Sequence, residues 1–297
     1  MAINLTARAQ QEPLFSQNMN NKMTVNPGFA GMRGNWTFSG VYRNQWSRMD
    51  GSPQTIAVNL DMPLKIMGVE NGLALNMVSD KFGLQKNTQA MFNYAYKAKL
   101  EWGVLGVGAK IGFVNAGIEG EYITPDGGAT DPALSAKVSD IVFDAGMGAF
   151  LAAENFYAGI SLAHLNNPRM DVGQLGEYSL NRHTYLTGGY TFIVSPSLNI
   201  QPSAFFGTDF VSIQYSVNAN AVIKDLFWAG LSFRGGRALS FMGGIEWKEG
   251  LTLGYSYDWN VSSVGQYVGG THEVTFSYTF NMNLSKSEKT YKSIRFL

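Results

Sequence analysis

The sequence contains no cysteine. That absence excludes disulfides, thiol nucleophiles and cysteine-ligated zinc, although it leaves the compartment open. There is no run of roughly 20 apolar residues of the kind a membrane helix requires. Neither sign of charge dominates: 22 Lys and Arg balance 22 Asp and Glu, so the electrostatic footprint of a nucleic-acid binder is missing. Catalytic signatures are missing too. The chain has no Gly-x-Ser-x-Gly elbow, and His164, His183 and His272 lie far apart with none of the spacings of a metal-binding helix. Each reads best as a hydrogen-bonded histidine near a strand end. The run Gly106-Val107-Gly108-Ala109-Lys110-Ile111-Gly112 lacks the Lys-Ser/Thr ending of a phosphate loop, and glycine recurs through every neighbouring segment. No cofactor or metal is expected.

What the chain has in quantity is glycine and aromatic residues, with 34 Gly, 19 Phe, 14 Tyr and 6 Trp, against only 15% charged residues. A length of 297 residues allows two soluble domains or one large closed sheet, and this composition favours the sheet. Residues 271–282 show its building unit. Val274, Phe276, Tyr278 and Phe280 fall on one face of an extended chain, and Glu273, Thr275, Ser277 and Thr279 on the other. An apolar face of this kind is covered by a second sheet in a soluble sandwich and by lipid in an outer-membrane barrel.

The same alternation begins at Trp36 and recurs through residues 55–62, 73–79, 90–100, 102–114, 141–151, 156–165, 183–194, 198–207, 211–223, 227–234, 239–247 and 251–259. With the opening and closing stretches this predicts about fourteen strands of the ~10-residue length a tilted membrane strand needs. The connections distinguish the two architectures. Residues 100–101, 152–155, 195–197, 224–225 and 248–250 are short turns that return on one side, while 115–138, 166–182 and 260–270 are long connections on the other. Only 208–210 breaks this alternation. Short turns on one side and long loops on the other describe an outer-membrane barrel with the turns in the periplasm. The expected fold is therefore an all-β, closed antiparallel transmembrane barrel over residues 35–282, with both termini periplasmic. Trp36, Trp46, Trp102, Trp247 and Trp259 lie near strand ends, at headgroup level. Trp228 shares parity with Ser232 and Arg234 and is expected to point inward.

Residues 10–34 are polar, broken by Pro27, Gly28, Gly31 and Gly34, and read as an irregular periplasmic or lumenal leader that could fill a wide barrel. Residues 1–9 end in Ala7-Arg8-Ala9, which has the small-x-small pattern of a signal-peptide cleavage site without the preceding apolar region. They are read as a signal-peptide remnant or non-native start, the alternative being an ordinary cytoplasmic start. The basic tail at 283–297 is a periplasmic hook for a partner or a segment folded into the lumen or disordered.

Candidate site residues follow. Arg43 and Glu273 lie on the polar faces of the first and last strands, which meet when the barrel closes, and are expected to pair inside the lumen. Asp126 and Asp131 sit in an acidic, glycine-rich loop that could offer oxygens to calcium but lacks EF-hand spacing, so a solvated loop is the simpler reading. With Asp171, Tyr178 and Tyr267 in the long loops, and Tyr291, Arg295 and Phe296 in the tail, they form the candidate partner-binding set.

Several segments then point to a family. Gln11-Glu12-Pro13-Leu14-Phe15-Ser16-Gln17, Asn26-Pro27-Gly28-Phe29-Ala30-Gly31, Tyr42-Arg43-Asn44-Gln45-Trp46, Gly254-Tyr255-Ser256-Tyr257-Asp258, Gly270-Thr271-His272-Glu273-Val274 and the terminal Arg295-Phe296-Leu297 occur in that order. Together they resemble the PorP/SprF outer-membrane proteins of the type IX secretion system of Bacteroidota. Glu12, where Asp is usual, and Gly28, where a larger small residue is common, depart from the pattern. The resemblance implies a non-enzymatic barrel that exports or attaches a large secreted adhesin, often in gliding motility. Its implied partners are the lipid bilayer, the C-terminal signal domain of the secreted substrate and other secretion components. A passive pore or hydrophobic-solute transporter is the alternative.

Overall fold

A computed structural model describes residues 12–118, 138–171, 177–247, 250–262 and 265–281. Its strands are β1 (Trp36–Asn44), β2 (Gln54–Ile66), β3 (Val69–Phe82), β4 (Gln85–Leu100), β5 (Gly103–Ile118), β6 (Val138–Ala153), β7 (Phe156–Ala163), β8 (Arg169–Asp171), β9 (Glu177–Ser179), β10 (His183–Tyr190), β11 (Phe192–Ser195), β12 (Leu198–Thr208), β13 (Ile213–Ile223), β14 (Phe227–Arg234), β15 (Ala238–Glu246), β16 (Leu251–Asn260) and β17 (Thr271–Phe280). β8 and β9 form a separate hairpin. The rest pair in order, and β1 pairs with β17 while β10 pairs with both β7 and β12. The result is a closed antiparallel barrel of 14 staves, with β10 and β11 as one interrupted stave.

The interruption has a covalent cause. Pro202 of β12 has no N–H to donate, and the ladder to β10 ends at the Gly189–Ser203 pair before β11 resumes at Phe192–Ile200. Proline is tolerated in sheets at such irregularities. Tight turns are set by left-handed backbone: Met67 and Gly68 join β2 to β3 at φ 50° and 83°, and Lys224 and Asp225 join β13 to β14 at φ 54° and 50°. Positive φ at both central residues matches the twist of the flanking strands.

Parity decides what each side chain meets. On β17, Val274, Phe276 and Tyr278 are exposed on the outer face, while Glu273, Thr275 and Thr279 are buried inside. β1 behaves alike, with Phe38 and Tyr42 outside and Thr37, Ser39, Val41 and Arg43 inside. Trp102, Trp247 and Trp259 are exposed, whereas Trp228 is buried against Met19, Val222 and Met242.

The strands also correct the expected loop lengths. Residues 80–89 do not form a loop, because β3 and β4 extend to a two-residue turn at Gly83 and Leu84. Residues 209–212 and 235–237 are short as well, so 208–210 is not a lone exception among the connections of that end. β4, β5 and β6 are each 16 residues, against 11 for β12 and β13. At a rise of ~3.3 Å per residue, one flank of the barrel is taller by roughly 15 Å along its strands. Behind that flank the β8–β9 hairpin folds inward, seating Met170 and Leu180 on the inward-facing Met91, Val114 and Ala116.

Candidate functional site: a threaded lumen and its mouth

Residues 12–35 run through the barrel. Glu12 lies at the end of the barrel that carries the long connections, beside His164 at the top of β7. Gly31 lies near the other end, against Asp61 of β2 and Lys97 of β4. The leader therefore descends the lumen and turns back at Gly34 into β1. Glu12 thus sits at the mouth opposite the end where β1 begins.

Three clusters of charged side chains hold the leader in place. At the mouth, the two ring nitrogens of His164 lie 2.8 Å from Glu12 Oε1 and 2.9 Å from Asp144 Oδ2. With a carboxylate on each nitrogen, both must donate, so the ring is held as an imidazolium. Burial lowers the proton affinity of His164, but the two carboxylates outweigh it and raise its pKa to about 9. Burial would raise that of Glu12, but the hydrogen bond and charge of His164, with His183 and Lys110, lower it to about 2. With both nitrogens engaged, His164 has no free base, and this Glu-His-Asp set is a fastening between leader and wall.

The second cluster lies just below. Arg43 of β1 donates to Glu273 of β17 and to Asp258 of β16, each at 2.9 Å. Its partner Glu273 stands directly opposite in the β1–β17 register. Arg234 of β14 reaches Asp258 at 3.4 Å, completing two cations against two carboxylates. The leader docks into this group: Ser16 N–H and Gln17 N–H each donate to the Glu273 carboxylate at 2.8 Å, and the Ser16 hydroxyl donates to Asp258 at 2.6 Å while accepting from Arg43 at 2.6 Å and Arg234 at 3.0 Å. Thr275 donates to Gln17 Oε1 at 2.8 Å. Desolvated charges of this kind persist only when paired and hydrogen-bonded.

The third cluster is nearer the short-turn end. Gly31 N–H donates to Asp61, and the Lys97 ammonium donates to the Gly31 carbonyl. Between the clusters the leader is gripped by backbone. Asn26 caps the turn that follows by accepting from Gly28 N–H at 2.9 Å, and its amide donates to the carbonyls of Ala149 and Ile160 at 3.0 and 3.2 Å. A side chain on Gly28 would lie 2.7 Å from the Gly106 carbonyl, so this wall has room only for glycine. Phe29 packs edge-on to Phe150 at 5.0 Å within a core that includes Met23, Ala30 and Met32. The leader supplies the apolar filling that a barrel of this size needs.

Above the leader the mouth opens into a cavity of about 770 Å³ floored by Glu12, Pro13, Leu14, Arg43 and Arg234. Tyr178, on β9, lines it, and its hydroxyl is held by Gln85 and Asn87. Asp171 is exposed and ties the hairpin to the tall flank through its N–H, which donates to Asp140 at 2.9 Å. Tyr267 is 82% exposed in the β16–β17 connection. Asp126, Asp131, Tyr291, Arg295 and Phe296 lie outside the described residues. The structure thus brings Arg43 and Glu273 together, sets Asp171 and Tyr178 on the paired strands of the β8–β9 hairpin, and leaves Tyr267 in the β16–β17 connection. Sequence reasoning missed Asp258, Arg234 and the His164 fastening; the first two share the polar parity of their strands, and that was the only available signal. Among the described residues no group of His, Asp and Glu could hold a metal ion.

A closed barrel with a lipid-facing apolar belt, a filled lumen and long connections at one end defines an outer-membrane β-barrel. The fold is similar to that of the CymD monoaromatic hydrocarbon channel, with 12% identity over 91% of this chain and 94% of that one and a TM-score of 0.50. Looser likenesses are the Ralstonia pickettii toluene transporter TbuX, at 9% identity over 88% and 94% with a TM-score of 0.47, and Acinetobacter baumannii Omp33, at 8% over 83% and 98% with a TM-score of 0.49. No curated protein sequence matches the chain. The sequence profile of the type IX secretion system membrane protein PorP/SprF family matches residues 7–278, and the chain belongs to that family.

Proposed function

We propose that this outer-membrane barrel is a non-enzymatic component that assists type IX secretion and surface attachment of one large secreted protein, such as a gliding adhesin. Family membership sets the secretion role. The observation that favours partner binding over transport is the leader, which occupies the lumen from Glu12 to Gly31 and is fixed by buried charges at both ends. In this reading the mouth and its long connections, including Asp126, Asp131, Asp171, Tyr178 and Tyr267, receive the C-terminal signal domain of the substrate. The tail, with Tyr291, Arg295 and Phe296, engages secretion components in the periplasm, and the short turns face the same side. Glu12 then lies on the outer side. Deleting the chain should remove its adhesin from the cell surface while other secreted proteins still appear; normal display would refute the proposal.

A second reading, a passive pore or hydrophobic-solute transporter, draws on the fold likeness to a hydrocarbon channel. It requires the leader to leave the lumen. Purified protein in a planar bilayer discriminates: large steady conductance supports the pore, and a silent barrel supports the partner-binding role.

A further inference from the structure

We infer that the lipid-facing surface around His272 is a binding site for a membrane lipid whose headgroup presents an unshielded anionic phosphate. The inference requires the barrel to lie in a bilayer and is independent of the secretion role proposed above.

His272 stands out on the outer face of β17. It shares the outward parity of Val274, Phe276 and Tyr278, all exposed, while its neighbours Thr271 and Glu273 are 1% and 0% exposed on the lumen side. A titratable ring among lipid-facing apolar side chains carries a desolvation cost, and such a group is a candidate site in its own right. Its depth shows which part of the lipid it meets. β17 has ten residues, the length of a tilted membrane strand, and its far end, Phe280, pairs with Trp36 at the short-turn side. His272, second from the mouth end, therefore lies at headgroup level, where Trp and Tyr belts form. With the mouth outward, that leaflet is the outer one.

The neighbouring tyrosines fix the ring. Tyr257 stands opposite His272 on β16, and Tyr42 and Tyr255 flank Val274 one step deeper. The Tyr255 hydroxyl lies 2.7 Å from His272 Nδ1, and the Tyr257 ring is 5.2 Å from the imidazole. A side chain on Gly270 would lie 2.3 Å from the Tyr257 ring, so the glycine lets that ring lean toward the rim. A phenol is the stronger proton donor of the Tyr255–His272 pair, which assigns the acceptor role to Nδ1 and the hydrogen to Nε2. Neither Nε2 nor the hydroxyls of Tyr42 and Tyr257 has a partner among the described residues. The surface thus presents donors and lacks an acceptor.

Charge selects the acceptor. The carboxylates of the adjoining strands, Asp258 and Glu273, face the lumen and are engaged by Arg43. Arg48 is exposed at this rim, its N–H donating to the Val268 carbonyl at 3.2 Å and its side chain lying along Gly269, three residues from His272. Asp50 of the same turn lies beside Gly51, which is bonded away from β17, to Gly83 N–H at 2.9 Å. A cation with aligned N–H and O–H donors favours a phosphate through charge-assisted hydrogen bonds. The lipid-facing position makes that phosphate a headgroup.

Trp259 reports on the site, since it is 62% exposed on the same face of β16, two residues beyond Tyr257. Trp102, 56% exposed at the short-turn end, is the control. The full chain is placed in phosphatidylcholine vesicles in variants that keep one or the other as the single tryptophan. Bromine on an acyl chain quenches a tryptophan that the lipid touches, so brominated phosphatidic acid and brominated phosphatidylcholine at equal mole fraction give the relative affinity at each position. Phosphatidic acid presents a bare phosphate, whereas phosphatidylcholine shields its own with a cation. The expected preference for phosphatidic acid is about fivefold at Trp259 and within about twofold of unity at Trp102. His272→Leu and Arg48→Gln should each remove most of the preference at Trp259. Tyr255→Phe, which keeps the ring and deletes one oxygen, should do the same without disturbing the strand. Equal quenching by the two lipids at Trp259, an equal preference at Trp102, or a preference that survives both His272→Leu and Tyr255→Phe would overturn the inference. Competition by inorganic phosphate at constant ionic strength would overturn it in favour of a soluble anion; persistence of the preference in inorganic phosphate supports the lipid.

Discussion

Replacing Glu273 by Gln tests how the leader is fastened. The carboxylate accepts three hydrogen bonds, from Ser16 N–H, Gln17 N–H and Arg43. Its amide counterpart keeps the shape but turns an N–H toward at least one of these donors, and it leaves Arg43 and Arg234 sharing Asp258 alone. Removing one partner of a buried pair costs about 3–5 kcal/mol. Arg43→Met should cost a similar amount for the opposite reason, leaving Asp258 and Glu273 with Arg234 only. The double variant restores charge balance through the Arg234–Asp258 pair at 3.4 Å. It should therefore cost less than the sum of the singles, by about 1–3 kcal/mol of coupling. Guanidinium unfolding of the barrel in lipid vesicles reads this as a midpoint shift at constant slope. Amide hydrogen exchange locates it, with faster exchange at Ser16 and Gln17 in both single variants. Additive costs within ~0.5 kcal/mol, or unchanged exchange at those two amides, would show that the cluster is not a unit.

The mouth fastening should respond to pH. The pKa of His164 lies above its ordinary 6.5, at about 9, so its contribution is complete below about 6.5 and is lost as pH rises through 9; that rise corresponds to roughly 3 kcal/mol. The pKa of Glu12 lies below its ordinary 4.5, at about 2, so its contribution is present above 4.5 and lost as pH falls through 2. Exchange at the leader amides should therefore accelerate between pH 6.5 and 9 beyond the intrinsic rate, and His164→Gln should abolish that excess. Gly72→Val places side-chain atoms on the Ala30 carbonyl and should destabilise the seated leader by about 1–3 kcal/mol, seen as intermittent conductance in planar bilayers absent from the native protein. Brominated lipid should quench Trp102, Trp247 and Trp259 in variants retaining a single Trp but leave Trp228, 3% exposed within the lumen, bright.

The barrel itself was legible in the sequence because a strand's period of two writes inside and outside into consecutive residues, and lipid on one face enforces the contrast. Val274, Phe276 and Tyr278 against Glu273, Thr275 and Thr279 needed no structure to read. The position of Arg43 and Glu273 on the first and last strands placed them side by side once closure was assumed. Extended hairpins were harder, since residues 80–89 rise above the belt, where lipid no longer imposes alternation. Tertiary structure alone determined the rest. Periodicity says which side chains enter a lumen but not which strands face one another across it, so Asp258 and Arg234 could not be assigned to Arg43 beforehand. Nor does local pattern reveal the path of an irregular segment: residues 12–35 have no period to read, and their place is fixed by partners remote in the chain, some more than 100 residues away, among them Glu273 for Gln17 and Ala149 for Asn26. The sequence by itself determined a membrane barrel with charges to hide; only the fold showed that its own leader hides them, because burying those charges requires partners from wall and leader at once.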